Sequence, residues 1–438
     1  MIRLATLLVW LLALLPSAVA MLTVIETQWH SPTAVLGALG RLAGVAGLSF
    51  LLVAASLSSR VPGFDRAFGG LTKLWQTHHR LASVAFLLLL AHPLLLAFAS
   101  GGDSGAAVGV LFPATAYWEV WAGWGALLAM MIFLAPSFAF FGEPKYQRWK
   151  FLHRLAGLAI VLALLHALPL ARAIPHPWDY VIWLTLTVLA LAAVTYRWLF
   201  SRSDLPGVGG RFPYRVTEVN KVANDVVEIS AQAVDRHLQY RAGQFVYLTS
   251  YDRSLSAGYG EEHPYTLSSS PDESQLRITI KDLGDASRAM QTIKSGSDLR
   301  VEGPYGAFFE SEYDEDSELW IAGGIGITPF LGRARFLRET CSEVDVCLIY
   351  CVQDETRALF ADQFREIAEQ LPGFNFQLHY FYQQGPLNMD FIQTHCPNYT
   401  NRGAYICGPL PLLGLARKLL IVGGVPLSRI QTEEFNLL

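Results

Sequence analysis

The stretch THHRLASVAFLLLLAHPLLL, residues 77–96, sets two adjacent histidines at the head of an apolar run and a third near its far end. A second stretch, HRLAGLAIVLALLH, residues 153–166, repeats the HRLA start, the apolar filling and the terminal histidine. Ionisable groups inside a membrane helix are costly, rare and functional by default. One such histidine reads as a satisfied polar residue or a helix cap; four on two similar helices ask for a shared role.

Working outward, the chain of 438 residues divides by polarity. It is 52% hydrophobic and 16% charged, and the charge is concentrated in residues 201–438. Residues 1–200 hold six apolar runs, at 3–22, 34–57, 78–99, 114–137, 151–170 and 178–200, each near the ~20 residues that cross a hydrocarbon core. The first run also has features of a signal peptide, with Arg3, an apolar stretch and the small residues SAVA; a retained helix is the reading carried forward. The gap at 58–77 carries Arg60, Arg66 and Lys73, and the gap at 138–150 carries Lys145, Arg148 and Lys150, whereas the gaps at 23–33 and 100–113 carry no basic residue. Positive loops stay in the cytoplasm, so both termini and the polar half are expected there, in a plasma (inner) membrane of bacterial type.

With that topology, His78 and His153 lie at the inner ends of the third and fifth runs, and His92 and His166 lie toward the outer face. A rise of 1.5 Å per residue separates the two levels by about 20 Å. Two helices thus offer two histidine pairs at two depths, the arrangement that two stacked b-type haems require. The 14 residues from His78 to His92 return to one helix face, while the 13 from His153 to His166 leave those two about 140° apart on an ideal helix. The second helix therefore needs a tilt, local overwinding or ligation from its flank. His78 is preferred to His79 as ligand. Arg41, about two turns into the second run from the outer side, reads either as a snorkelling cation or as a charge that pairs with a haem propionate or attracts an anionic product.

The net charge of −4 gives no reason to expect nucleic acid. All five cysteines lie in the polar half without a Cys-x-x-Cys pair, which disfavours zinc, an iron–sulfur cluster and a disulfide framework. From residue 211, short alternating runs such as YRVTEVN, DVVEISAQAV, QFVYLTS, QLRITIKDL and SDLRVEGPYG predict a small antiparallel barrel. Within it, HPYTLSSS, residues 263–270, sets an extended segment beside an aromatic ring and hydroxyls, suited to Tyr265 along a flavin with Thr266 and Ser268 at its ribityl or phosphate oxygens. Beyond residue 317, strand and helix alternate, which predicts a parallel sheet. GGIGITP, residues 323–329, follows the first of these strands and opens a helix, so its backbone can approach a pyrophosphate.

HPYTLSS, IKDLGDASRAM, GPYG, GGIGITP, CGP and a terminal EEF follow one another at domain-like intervals. This ordered set resembles the ferredoxin–NADP reductase superfamily, and with the membrane half it resembles the ferric reductase and NADPH oxidase family. The resemblance implies a bundle of six transmembrane helices over 1–205, a β-barrel FAD domain over 211–311 and an α/β NAD(P)H domain over 317–438. It implies FAD contacts at His263, Pro264, Tyr265, Thr266 and Ser268, with Lys281, Gly284, Ser287 and Gly303 near the diphosphate or ring. Gly324, Gly326, Thr328 and Pro329 would form the nucleotide turn, with Cys407, Gly408 and Pro409 on the nicotinamide side. Phe435 would stack on the isoalloxazine. Here NLL follows that aromatic, whereas the oxidases often end at it.

The expected activity is electron transfer from NADPH or NADH through FAD and two b-type haems to an outer acceptor. Dioxygen giving superoxide ranks first on the position of Arg41, ahead of a ferric chelate and a periplasmic redox protein. A proton pathway built on the histidines is the reading from another class; it leaves the flavin and nucleotide motifs unexplained. Gln353 stands where relatives often have an arginine for a 2′-phosphate, with Arg357 nearby, so both nucleotides remain open. Lipid is the expected surrounding, and no obligatory protein partner is evident.

Overall fold

The computed structural model describes residues 2–24, 31–112, 117–135, 146–170, 178–200, 211–310 and 316–433. The chain forms two compact units, one of Met1–Arg60 with Leu74–Arg202 and one of Val61–Lys73 with Ser203–Leu438.

The first unit is helical: α1 (Ile2–Val24), α2 (Pro32–Leu57), α3 (Leu71–Phe98), α4 (Ser104–Leu111), α5 (Trp118–Leu134), α6 (Tyr146–His153), α7 (Leu155–Leu170) and α8 (Trp178–Phe200). All six apolar runs are helical where described, and α4 is an additional short helix whose N-cap Asp103 accepts from the Gly105 and Ala106 N–H groups. Among the described residues, four stretches are long and apolar enough to cross a membrane, Leu4–Leu22, Pro32–Leu57, Leu71–Phe98 and Trp149–Leu170; Trp118–Leu134 and Val181–Tyr196 are shorter apolar helices.

Glycines set how α2 meets α3. A Cβ at Gly40 would lie 2.9 Å from Leu96, at Gly44 2.8 Å from the His92 ring, and at Gly47 2.6 Å from Leu89. Spacings of four and three place these glycines on one face, and removing side chains there lets two helices approach as membrane helices prefer. Between α5 and α7 the same device recurs, with Gly123 against the His166 ring at 2.7 Å and Gly125 against Leu162 at 3.3 Å.

In the second unit, β1 (Arg211–Ala223), β2 (Val226–Ala233), β3 (Phe245–Ser250), β4 (Glu262–Thr266), β5 (Gln275–Lys281) and β6 (Asp298–Tyr305) form an antiparallel sheet in the order β4-β3-β6-β1-β2-β5. A Leu267–Ile278 bridge and the Ser268 N–H to Arg277 C=O bond, 2.9 Å, join the two ends of that order. The short helix α9 (Asp285–Met290) follows β5. Next come β7 (Ser317–Gly323), α10 (Thr328–Glu339), β8 (Asp345–Val352), α11 (Ala361–Gln370), β9 (Phe374–Tyr380), α12 (Phe381–Gln384), α13 (Met389–His395), β10 (Gly403–Cys407), α14 (Leu410–Val422) and β11 (Ile430–Glu433). Their sheet is parallel throughout, ordered β11-β10-β7-β8-β9.

The two sheets share a core. Phe308 and Phe309, just past the antiparallel sheet, pack against Trp320 and Tyr405 of the parallel one and Phe330 of α10. Beside them Arg335, 2% exposed, donates to Glu228 Oε1 at 3.0 Å, to the Ser268 carbonyl at 2.7 Å and to Gln363 Oε1 at 2.9 Å. This ties α10 to β2, to the stretch after β4 and to α11.

The expected boundary of the membrane domain needs one correction. Val61–Lys73, inside 1–205, packs with the second unit. The reason is polar anchoring: the Gly306 N–H donates to Asp65 Oδ2 at 2.9 Å, Arg66 pairs with Glu310 at 3.5 Å, and Lys73 Nζ reaches Gln431 Oε1 at 3.5 Å. The strand β11 and the helices α9 and α13 are also absent from the sequence reading; the stretch before the terminal EEF gave no strand pattern because β11 is only four residues long.

Removing one partner of a buried ion pair strands the other. Arg335→Ala should therefore destabilise the chain by about 3–5 kcal/mol, while replacing Arg335 and Glu228 together by Met and Leu should cost much less. Denaturant unfolding of the full chain in detergent would measure both.

Candidate functional site: paired imidazoles and a dinucleotide crevice

In the first unit the four histidines meet as two pairs. The ring centres of His78 and His153 are 6.4 Å apart and those of His92 and His166 are 6.2 Å apart, with ring planes inclined at 59° and 73°. A metal–imidazole bond is about 2.0–2.1 Å, so two rings ligating one ion from opposite sides have centres about 6 Å apart. Both pairs fit that spacing. Three of the four rings are also oriented for it. The Nδ1–H groups of His78, His92 and His166 donate to the carbonyls of Ala54 at 2.8 Å, Gly40 at 2.7 Å and Glu119 at 2.9 Å. A donated Nδ1–H leaves Nε2 as the lone-pair nitrogen and fixes the ring plane, as outer partners of ligating histidines do.

His153 differs. Its Nδ1 is buried without a hydrogen-bond partner among the described residues, and its ring is held by Trp149 at 4.8 Å and Phe133 at 5.2 Å. The helix breaks immediately after it, between α6 and α7, where Arg154 N–H bonds to Phe151 C=O and Gly157 N–H to Arg154 C=O, both at 3.2 Å. These i to i+3 bonds are a locally tighter winding. The break lets His153 and His166, out of phase on an ideal helix, each meet a partner on α3. His79 stays beside His78, at 5.6 Å between ring centres.

Arg41 lies next to Gly40, whose carbonyl holds His92, and lines an open groove of about 480 Å3 with Thr33, Ala34, Gly37, Leu96 and Ala99.

In the second unit, the parallel sheet changes direction between β7 and β10. From β7 the chain builds outward through β8 and β9, then returns to the other side for β10 and β11. Ligands of open α/β sheets bind outside the carboxyl ends of the strands at such a switch point. Gly323, Gly324, Gly326, Cys407 and Gly408 stand there. A Cβ at Gly326 would lie 2.5 Å from the Cys407 carbonyl oxygen, and one at Gly408 would lie 3.1 Å from Gly323, so the turn closes tightly on the end of β10. Gly324 has φ +54 with open space where a Cβ would be, which leaves backbone accessible to a ligand. Thr328 Oγ1 bonds back to the Ile325 carbonyl at 3.1 Å, and Pro329 sits in the first turn of α10. A pyrophosphate suits such a turn.

Cys407 is fully buried, and burial followed by the nearby Glu433 raises its thiol pKa. Glu433, paired with Cys407 in the β10–β11 register, is pushed up to about 8 by burial, with Lys73 opposing and Asp65 adding to the shift. In the antiparallel sheet, β4 pairs with β3 and carries His263 and Tyr265, both half-buried. Burial raises the Tyr265 phenol. Thr266 is 6% exposed. Ser268 is drawn inward: its hydroxyl donates to Glu228 Oε1 at 3.2 Å and accepts from Thr279 at 3.1 Å, inside the Arg335 network. Ser287 Oγ accepts from the Leu283 and Gly284 N–H groups at 2.8 Å and so caps α9. Lys281 lies 3.8 Å from Asp225, which also holds Arg357 at 3.2 Å. Gly303 packs on β3, 3.1 Å from Val246 at the Cβ position. Pro409 caps α14. Phe435 lies outside the described residues. The sequence reading missed Asp65, which lies in no motif, and gave no role to Glu433, although that residue opens the terminal EEF.

Residues 43–164 match the family model described as ferric reductase like transmembrane component, 211–308 that of an FAD-binding domain, and 320–418 that of an oxidoreductase NAD-binding domain. Among curated proteins, the glycine betaine monooxygenase reductase subunit of Pseudomonas aeruginosa is 29% identical over 187 residues, 39% of this chain and 50% of that protein. The ferredoxin reductase component of 3-ketosteroid-9-alpha-monooxygenase from Mycolicibacterium smegmatis is 32% identical over 211 residues, 47% of this chain and 58% of that protein. The chain thus spans about half the length of these relatives. Among solved structures, flavohemoglobin from Malassezia yamatoensis aligns with a TM-score of 0.51 at 20% identity, over 92% of this chain and 97% of that one, a likeness of fold alone. The three family matches, a membrane component followed by FAD- and NAD-binding domains of an oxidoreductase, lie in this order along one chain and match a ferric reductase/NADPH oxidase-like architecture.

Proposed function

We propose that the chain carries electrons from NAD(P)H across a membrane, by way of FAD in the second unit and two b-type haems in a six-helix first unit, to an acceptor on the outer side. The observation that carries this reading is the pair of imidazole pairs at 6.4 and 6.2 Å. Each pair supplies two nitrogens, which suits an ion whose remaining ligands belong to a macrocycle. When bound, FAD takes a hydride and releases electrons singly, and haem carries them one at a time.

The residues position and insulate. Ala54, Gly40 and Glu119 hold the rings through their carbonyls, and Gly44 and Gly123 leave room for the outer rings. At the crevice, Gly324 and Gly326 would receive the nucleotide pyrophosphate, and Cys407 and Gly408 would bound the nicotinamide. The half-buried β4 residues His263 and Tyr265 suit a flavin ring, with Pro264 and Thr266 between and beside them and Lys281 close to its phosphates. Phe435 would cover the ring. The basic segment Val61–Lys73 packs within the second unit, which supports a cytoplasmic placement for both under the positive-inside rule.

For the acceptor, dioxygen giving superoxide is proposed first. The Arg41 cation, which lines an open groove next to Gly40, the residue whose carbonyl holds His92, suits attraction of an anion. The ferric-reductase match of residues 43–164 favours a second reading, a ferric chelate.

With NADH or NADPH in air, cytochrome c reduction by protein loaded with haem and FAD should fall sharply when superoxide dismutase is added; reduction that ignores the dismutase and rises with a ferric chelate under argon would select the second reading. His92→Leu and His166→Leu should each lower bound haem from two to one per chain, measured by pyridine haemochrome, while flavin reduction by NADH persists. Gly123→Val should act similarly through the displaced His166 ring, because its added atoms begin 2.7 Å from Nδ1.

A further inference from the structure

The segment Val61–Lys73 lies between two membrane helices in sequence, yet it buries a carboxylate in the second unit. Asp65 is 2% exposed. Its Oδ2 accepts from the Gly306 N–H at 2.9 Å, and its Oδ1 is buried without a partner among the described residues. Gly306 ends the GPYG stretch with φ +98, and its carbonyl accepts from Gln244 Nε2 at 2.9 Å. Both backbone groups of this residue are therefore fixed by side chains. A Cβ at Gly306 would stand 3.4 Å from Glu433 Oε1, so a second carboxyl lies against the same residue.

A loop that only needed fastening would do better with apolar packing, which Phe68, 4% exposed, already supplies. Burying a carboxyl with one oxygen unsatisfied costs stability, and such groups are concentrated where a site needs their charge or their proton. We propose that Asp65 is a positioning residue of the flavin site, holding the Gly306 turn from outside the flavin domain's own stretch of sequence and setting the charge on Glu433 beside it. This rests on the reading that the second unit binds FAD.

The groups facing Glu433 are Lys73 from the start of α3, Asp65 from the preceding turn and the Cys407 thiol from β10. Those facing Asp65 are Arg66, Glu310 and Glu433. Burial raises Asp65 and pushes Glu433 up to about 8, and the Asp65 charge adds to the second shift. Neutralising Asp65 while keeping its oxygen should let Glu433 ionise at lower pH.

The test uses full-length protein in detergent, stripped of flavin and titrated with FAD by fluorescence quenching between pH 5.5 and 9, with melting temperatures taken alongside. In the wild type, FAD affinity should bend through the titration of Glu433, and Glu433→Gln should remove the bend. Asp65→Ala should weaken FAD about ten-fold, the loss of roughly one hydrogen bond to a charged acceptor. Asp65→Asn, which still accepts from Gly306, should recover most of that affinity and move the bend to lower pH. Wild-type affinity in Asp65→Ala, or an unmoved bend in a stably folded Asp65→Asn, would overturn the proposal. A wild type that binds no FAD would remove the underlying reading as well, and the two failures are told apart by that first titration.

Discussion

A histidine ring on one helix can face a ring on another at ligating distance only if the neighbouring backbone leaves room, and in the first unit that room is made by glycine. Gly44 faces His92 and Gly123 faces His166, each at a separation no side chain could share. The same close approach puts the carbonyls of Gly40 and Glu119 within hydrogen-bond reach of Nδ1. Space and orientation therefore have one cause. The inner pair is built differently: His78 is tied to a carbonyl, while His153 is held by the faces and edges of Trp149 and Phe133 next to a helix break. The inner pair thus has one ring fixed by a directional bond and one fixed by packing alone.

In the second unit the corresponding role falls to Arg335. A guanidinium presents five donors in a rigid fork, and here it joins a carboxylate, a carbonyl and an amide from three elements. Its cost is that Ser268, whose sequence context suggested a flavin contact, is turned inward to complete the network. Desolvated polar groups are tolerable only when satisfied together, so a hydroxyl beside a buried ion pair is claimed by that pair before any ligand. The aromatic cluster of Phe308, Phe309, Trp320, Phe330 and Tyr405 supplies the apolar part of the same junction.

Much of this was legible in the sequence because the signals were periodic. The duplicated HRLA runs gave the histidine pairs, the 14-residue spacing selected His78, and alternation of strand and helix gave the parallel sheet. The break after His153 was legible only as a mismatch of phase: sequence showed that something must yield, and the i to i+3 bonds around Arg154 show what did. Ser268 was not legible, since a serine in an extended run looks the same whether it faces a ligand or a buried arginine 67 residues away. Asp65 was hidden for a related reason. Its partner Gly306 is 241 residues distant, and no local pattern encodes a contact of that range.

That distance bears on how the architecture holds together. A segment counted by sequence as a loop between membrane helices contributes a buried acid, an arginine paired with Glu310 and a lysine on Gln431 to the unit that carries the FAD and NAD matches. Two of these three contacts end at a motif, on Gly306 of GPYG and on Gln431 shortly before EEF. A change in the segment is therefore felt first at the backbone of those motifs. The segment is thus more than a connector in sequence: three polar side chains fasten a stretch with three left-handed glycines, Gly63, Gly69 and Gly70, to the second unit.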